Sequence, residues 1–293
     1  MRCWGMAPVV WLARGIARLP QGFLLRLSGL LSFLLWPLLA RRRRIAATNL
    51  ALCFPELSGA ERRRLLHANL RATVMGALEL LRAWYAPSRS LAGLARIEGL
   101  EHLRAALDAG QGVLLFTGHF TFTELAVRLV SEALGRPLAV VVRRNNSACL
   151  EQAMAQARAR VFEPVLEKKD VRGLLRTLQG GHALVYSADQ NFTYQNAFVP
   201  FFGIDAATLT STPELVRRGN ARMLPFWCHR EADGTYRLRI EPAWPGWTEG
   251  SAEQAATIYM RELERVVRKH PEQYLWVHKR FKTRPAGAPE IYR

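Results

Sequence analysis

His119 and Glu124 are the residues of this chain whose types and spacing best support chemistry. They close the run Val113-Leu-Leu-Phe-Thr-Gly-His-Phe-Thr-Phe-Thr-Glu124, in which an apolar strand-like stretch gives way to a polar turn. A histidine with a carboxylate on one ring nitrogen is a general base of fixed tautomer, and such a pair activates a hydroxyl toward an acyl group. Acyl transfer is therefore the first chemistry the sequence suggests.

Residues five apart on an ideal helix point about 140° apart, so the two side chains meet only if His119 lies in the turn before the helix. Val113 to Phe116 suits a buried strand, Gly118 permits a tight turn, and Leu125, Leu129 and Val130 recur with helical spacing. Thr121-Phe-Thr-Glu124 also fits a capping box, with Thr121 capping the helix and Glu124 reaching back. Glu124 has two readings, partner of a base or helix cap, and the spacing leaves both open.

Elements able to position this turn follow along the chain. A helix is expected from Ser58 to Tyr85, capped by Ser58 with Glu61 and burying Leu65, Leu66, Leu70, Val74, Leu78 and Leu81. Strands are expected at Val113 to Phe116, Leu138 to Val142, Ala183 to Tyr186, Met223 to Cys228 and Tyr236 to Ile240. Helices are expected near 99–109, 121–134, 147–160, 170–179, 211–220 and 251–270. This alternation predicts an α/β fold with a mixed, largely parallel sheet flanked by helices. Reacting groups in such folds gather where strands end. His119, Arg143-Arg-Asn-Asn146 and Asp189-Gln190 all follow expected strands.

The chain of 293 residues, 49% hydrophobic, can bury one sizeable core. Its formal net charge of +17 arises from 41 Lys and Arg against 24 Asp and Glu. Such a surface favours phospholipid head groups, phosphorylated glycolipids, nucleic acid or an acidic carrier protein. Cys3, Cys53, Cys149 and Cys228 lack any zinc-ligand spacing and read as reduced, mostly buried thiols. No ligand cluster argues for a metal, and no phosphate loop, dinucleotide fingerprint or nucleophile elbow argues for a cofactor or a serine nucleophile.

From Gly22 to Ala40 runs an apolar nineteen-mer whose only charge is Arg26, followed at once by Arg41-Arg-Arg-Arg44. The expectation is an N-terminal apolar membrane helix, spanning or surface-lying, with residues 1–44 forming a membrane segment and residues 45–293 the catalytic domain. If the helix spans, the arginines put the remainder in the cytoplasm. They also attract anionic membrane lipid.

Several stretches match a known family in order and spacing. They are Thr48-Asn-Leu-Ala-Leu-Cys-Phe-Pro-Glu56, Thr117-Gly-His-Phe-Thr-Phe-Thr-Glu124, Val142-Arg-Arg-Asn-Asn146, Ala188-Asp-Gln190, Phe198-Val-Pro-Phe-Phe-Gly203 and Trp276-Val-His-Lys-Arg-Phe-Lys-Thr-Arg-Pro285. On these the chain resembles the late acyltransferases of lipid A biosynthesis, within the lysophospholipid acyltransferase superfamily. The family's His-x4-Asp/Glu motif falls on His119 and Glu124. The resemblance implies transfer of a fatty acyl group from acyl carrier protein to a hydroxyl of a glycolipid, a lipid A precursor, at the cytoplasmic face of a bacterial inner membrane. Relatives within the superfamily acylate other lipids, such as phosphatidylinositol mannosides.

On that reading His119 is the general base and Glu124 orients it, with backbone N–H groups at the helix start stabilising the oxyanion. Arg143 and Arg144 are candidates for phosphate, which guanidinium groups bind bidentately. Lys279 and Arg280 offer a second anion-binding surface, and Asp189 and Gln190 a polar wall for substrate or for a basic residue. Two other readings keep parts of this set. A thioesterase would use the pair to activate water, and a non-enzymatic membrane or polyanion-binding protein would use Glu124 only as a cap. Basic residues among aromatics also suit RNA, but no RNA-binding signature accompanies them and no nucleic-acid partner is expected.

Overall fold

A computed structural model describes residues 5–292. Three helices open the chain, α1 (Met6–Ile16), α2 (Gln21–Leu34) and α3 (Ala40–Cys53), before the long α4 (Gly59–Tyr85). Then follow β1 (Ala95–Glu98), α5 (Leu100–Asp108), β2 (Gly112–Thr117), α6 (Thr123–Leu134), β3 (Ala139–Val142) and α7 (Ala148–Arg158). Next come β4 (Val165–Glu167), α8 (Val171–Gln179), β5 (Ala183–Ser187), β6 (Asn196–Phe201) and β7 (Ile204–Leu209). The last elements are α9 (Thr212–Arg218), β8 (Ala221–Arg230), β9 (Tyr236–Ile240) and α10 (Ala252–Val267).

Seven strands form one sheet in the order β1-β9-β8-β2-β5-β3-β4. β8, β2, β5, β3 and β4 run parallel, and the antiparallel β8–β9 pair reverses β9 and its parallel neighbour β1. The sheet is thus mixed and largely parallel, as expected. β2 is central, and every residue of it is buried, which explains its unbroken apolar run from Val113 to Phe116. Short or interrupted segments escaped sequence reading: β4 has three residues, and Pro200 breaks the pattern of β6, which pairs only with β7.

Ser58 and Glu61 form the expected capping box on α4. The expected box at Thr121 does not form: Phe122 precedes α6, and the Thr121 hydroxyl has no partner among the described residues. Thr123 closes that turn instead, its hydroxyl accepting from Phe120 N–H at 3.0 Å. Cys53 and Cys228 are free and buried as expected, whereas Cys149 is disulfide-bonded; Cys3 lies outside the described residues.

The spanning form of the expected N-terminal membrane helix is overturned. Among the described residues no helix is long and apolar enough to cross a membrane. The apolar nineteen-mer is split between α2 and α3 by a turn around Pro37. The 14 residues of α2 rise only about 21 Å, short of a hydrocarbon core of about 30 Å. α2 packs instead on α4, with Leu24 buried against Met75 and Leu78.

Two buried asparagines tie these helices to the C-terminal segment 271–281. Asn49 of α3 donates to the carbonyls of Trp276 and His278 at 2.7 and 2.8 Å. Asn69 of α4 donates to those of Glu272 and Tyr274 at 2.9 and 2.8 Å. α4 also touches the turn after β2: a Cβ on Gly76 would stand 2.0 Å from the Thr121 carbonyl oxygen. Gly76→Ala must therefore push the helix off the turn. We expect a loss of about 1–3 kcal/mol in denaturant unfolding, the usual cost of overpacking; an unchanged midpoint would contradict this close approach.

Candidate active site

Sheet register brings the central pair together. Thr117 of β2 lies level with Ser187 of β5, so His119 and Asp189, each two residues further on, leave neighbouring strands at the same edge. The His119 ring donates from Nδ1 to Asp189 Oδ1 at 2.6 Å, and its backbone N–H donates to Oδ2 at 2.9 Å. Tyr274 completes the carboxylate's shell with an O–H bond to Oδ2 at 2.8 Å. Asp189 is 1% exposed, whereas the His119 side chain keeps 35% of its surface accessible.

This geometry fixes the charge states. Burial opposes ionisation of Asp189, yet the His119 charge and the hydrogen bonds from His119 and Tyr274 outweigh it and hold the carboxyl well below the usual range. For His119 burial also disfavours the charged form. The Asp189 charge and hydrogen bond prevail and raise its pKa above the ordinary value. Tyr274 is pushed well above its ordinary pKa by burial and then by Asp189, so it remains a donor. With Nδ1 spent on Asp189, Nε2 is the nitrogen left to take a proton.

Glu124 does not hold the His119 ring. Its carboxylate accepts from Arg158 Nη2 at 2.7 Å and Nε at 3.1 Å, and from Trp84 Nε1 at 2.6 Å. The Arg158 guanidinium lies 5.1 Å from the centre of the Trp84 ring. The glutamate joins α4, α6 and α7 beside the turn that carries His119. The carboxylate on the histidine comes from the next strand end, seventy residues away in sequence.

A small cavity opens at His119, walled by Asn49, Asp189, Gln190, Tyr274, His278 and Arg280, among others. Gln190 is where the sequence placed it. Arg280 is buried, donating to the Ala207 carbonyl at 2.8 Å, the Gln190 carbonyl at 3.3 Å and the Thr208 hydroxyl at 2.5 Å, while its Nε has no partner among the described residues. Its Nη donors clamp β7. Lys279 lies over the Tyr292 ring, and Arg143 and Arg144 are exposed, with Arg144 paired to Glu167 at 2.8 Å; none of the three lines the cavity. Tyr274, Asn49 and His278 were missed as site residues. Asn49 and His278 stood inside noted motifs, but contacts over more than two hundred positions leave no periodic signal.

A raised His119 pKa places the acid limb of the kcat/KM profile above about 6.5, the ordinary histidine value. Asp189→Asn removes the charge that raises it, weakens the hydrogen bond to a neutral one and leaves burial, so the midpoint falls; Glu124→Gln leaves it in place. Profiles in which Glu124→Gln moves the midpoint and Asp189→Asn does not would reverse the assignment.

Comparison with known proteins bears on this constellation. Residues 1–283 match the model of the bacterial lipid A biosynthesis acyltransferase family. The chain is 34% identical over 292 residues to the lipid A biosynthesis lauroyltransferase of Escherichia coli K12, covering 99% of this chain and 94% of that one. It is 33% identical to the palmitoleoyltransferase of the same organism at the same coverage, and 26% identical over 302 residues to its myristoyltransferase, covering 100% and 91%. A chain matched over nearly its whole length, with a histidine and a buried carboxylate paired at the rim of its sheet, leads to one conclusion: the protein belongs to the bacterial lipid A biosynthesis acyltransferase family and is an acyltransferase.

Proposed function

We propose that this enzyme moves a fatty acyl group from the thioester of acyl carrier protein to a hydroxyl of a lipid A precursor, with His119 as general base. The observation that carries the reading is the bond from His119 Nδ1 to Asp189, which leaves Nε2 without a partner among the described residues. Nε2 takes the proton of the acceptor hydroxyl as its oxygen bonds to the thioester carbon. Asp189 stabilises the imidazolium that forms. Collapse of the tetrahedral intermediate breaks the carbon–sulfur bond, and the imidazolium returns its proton to the leaving thiolate. The balance is one ester and one thiol from one thioester and one hydroxyl, and no acyl-enzyme is needed.

The surplus of 17 positive charges suits both an acidic carrier and a phosphorylated glycolipid. Arg143, exposed at the sheet edge that carries His119 and Asp189, and Lys279 are our candidates for their phosphates. Mass spectrometry of lipid after incubation with acyl carrier proteins of mixed chain length tests the reading. One added acyl chain on a tetra-acylated lipid A precursor, lost in His119→Ala, is expected. Free fatty acid without acylated lipid would instead establish hydrolysis.

We also propose that the protein works against the cytoplasmic face of a bacterial inner membrane, resting on its surface. Trp11, Phe33 and Leu38 are 77%, 78% and 79% exposed, and Arg41, Arg42 and Arg44 are exposed close by in sequence. Apolar side chains entering the interface, worth about 1.5–3 kcal/mol each when fully buried, would add to the attraction of arginine for anionic lipid. Replacing all three apolar residues with serine should weaken sedimentation with anionic vesicles at least about tenfold. Undiminished binding would remove this orientation.

A further inference from the structure

The oxyanion formed during acyl transfer needs a donor, and the amides nearest the base are already used. His119 N–H donates to Asp189, Phe120 N–H to Thr123 Oγ1 and the Gly118 carbonyl, and Thr121 N–H to the Gln273 carbonyl. The helix-start amides expected to serve are thus spent at positions 119, 120 and 121. Across the same cavity stands His278, which the mechanism has not used. Its backbone is fixed on both sides: its N–H donates to the Leu275 carbonyl at 3.3 Å, and its carbonyl accepts from Asn49 at 2.8 Å and Arg280 N–H at 2.9 Å.

We propose that His278 donates the hydrogen bond that stabilises the tetrahedral oxyanion, with its Nε2–H directed at the carbonyl oxygen of the thioester. The tautomer follows from the surroundings. Nδ1 is buried without a partner among the described residues, and a proton there would be an orphaned donor, so the proton sits on Nε2. No residue described here bonds to Nε2, which leaves it available to a ligand in the cavity. Around the ring stand His119, Asp189, Arg280 and Arg42. Burial leads in pushing its pKa down to about 4, with the nearby cations adding to it against Asp189, so His278 is neutral at working pH and too weak a base to compete with His119. A neutral imidazole donates without giving up its proton, which suits a charge that appears and vanishes within one turnover.

This inference rests on the acyl-transfer reading, and steady-state kinetics of the full chain with acyl carrier protein thioester and glycolipid acceptor separates the two. His278→Phe keeps the ring volume and removes the donor; kcat should fall about 10²–10³-fold with both KM values within about threefold. His278→Gln, whose amide N–H reaches about where Nε2 stood, should recover at least tenfold of that loss. The acid limb set by His119 should stay in place in both. His278→Phe with kcat within threefold of wild type, a loss confined to KM, or a glutamine variant no better than phenylalanine would each overturn the role. If His278→Phe does not fold, His278→Leu is judged by the same criteria. Absence of transfer by the wild-type protein would overturn the acyl-transfer reading and this inference with it.

Discussion

One buried carboxylate organises this protein. Asp189 lies at the end of β5, almost without solvent, and accepts from the His119 ring, the His119 backbone and Tyr274. An ionised carboxylate in such a place is tolerable only when its oxygens are satisfied by hydrogen bonds and an opposing charge. The need for that satisfaction draws three distant pieces of chain to one point: the turn after β2, the end of β5 and the segment 271–281. The helical layer then braces the segment that carries Tyr274.

The sheet was legible because its central strand is apolar on both faces, β9 alternates buried and exposed residues, and polar ends punctuate the strands. Tyr236–Ile240 falls where the sequence placed it, and His119, Asp189 and Arg143 all leave the rim as strand ends should. Which carboxylate meets the histidine was not legible. Local spacing favoured Glu124, five residues away, whereas register between neighbouring strands delivers Asp189. Register depends on backbone pairing across the sheet, which a single strand's pattern does not reveal.

The apolar N-terminal run misled for a related reason. Composition over nineteen residues resembles a membrane helix, but Pro37 and the packing of Leu24 against α4 turn the run into two elements of a helical layer. Arg280 shows the converse. Its place in a basic cluster suggested an anion site, yet it is 2% exposed and its Nη donors go to carbonyls and a hydroxyl. A charged residue's task is set by what lies within about 3 Å of its donors.

The asparagine ties make the cavity beside His119 depend on both ends of the chain. Asn49 meets carbonyls 227 and 229 positions downstream, and Asn69 meets carbonyls 203 and 205 positions downstream. Closing loops of that length costs more conformational entropy than forming a local helix. The segment that carries Tyr274 and His278 is anchored by α3 and α4. The cavity beside His119 is complete only where the end of the chain is joined to its helical layer.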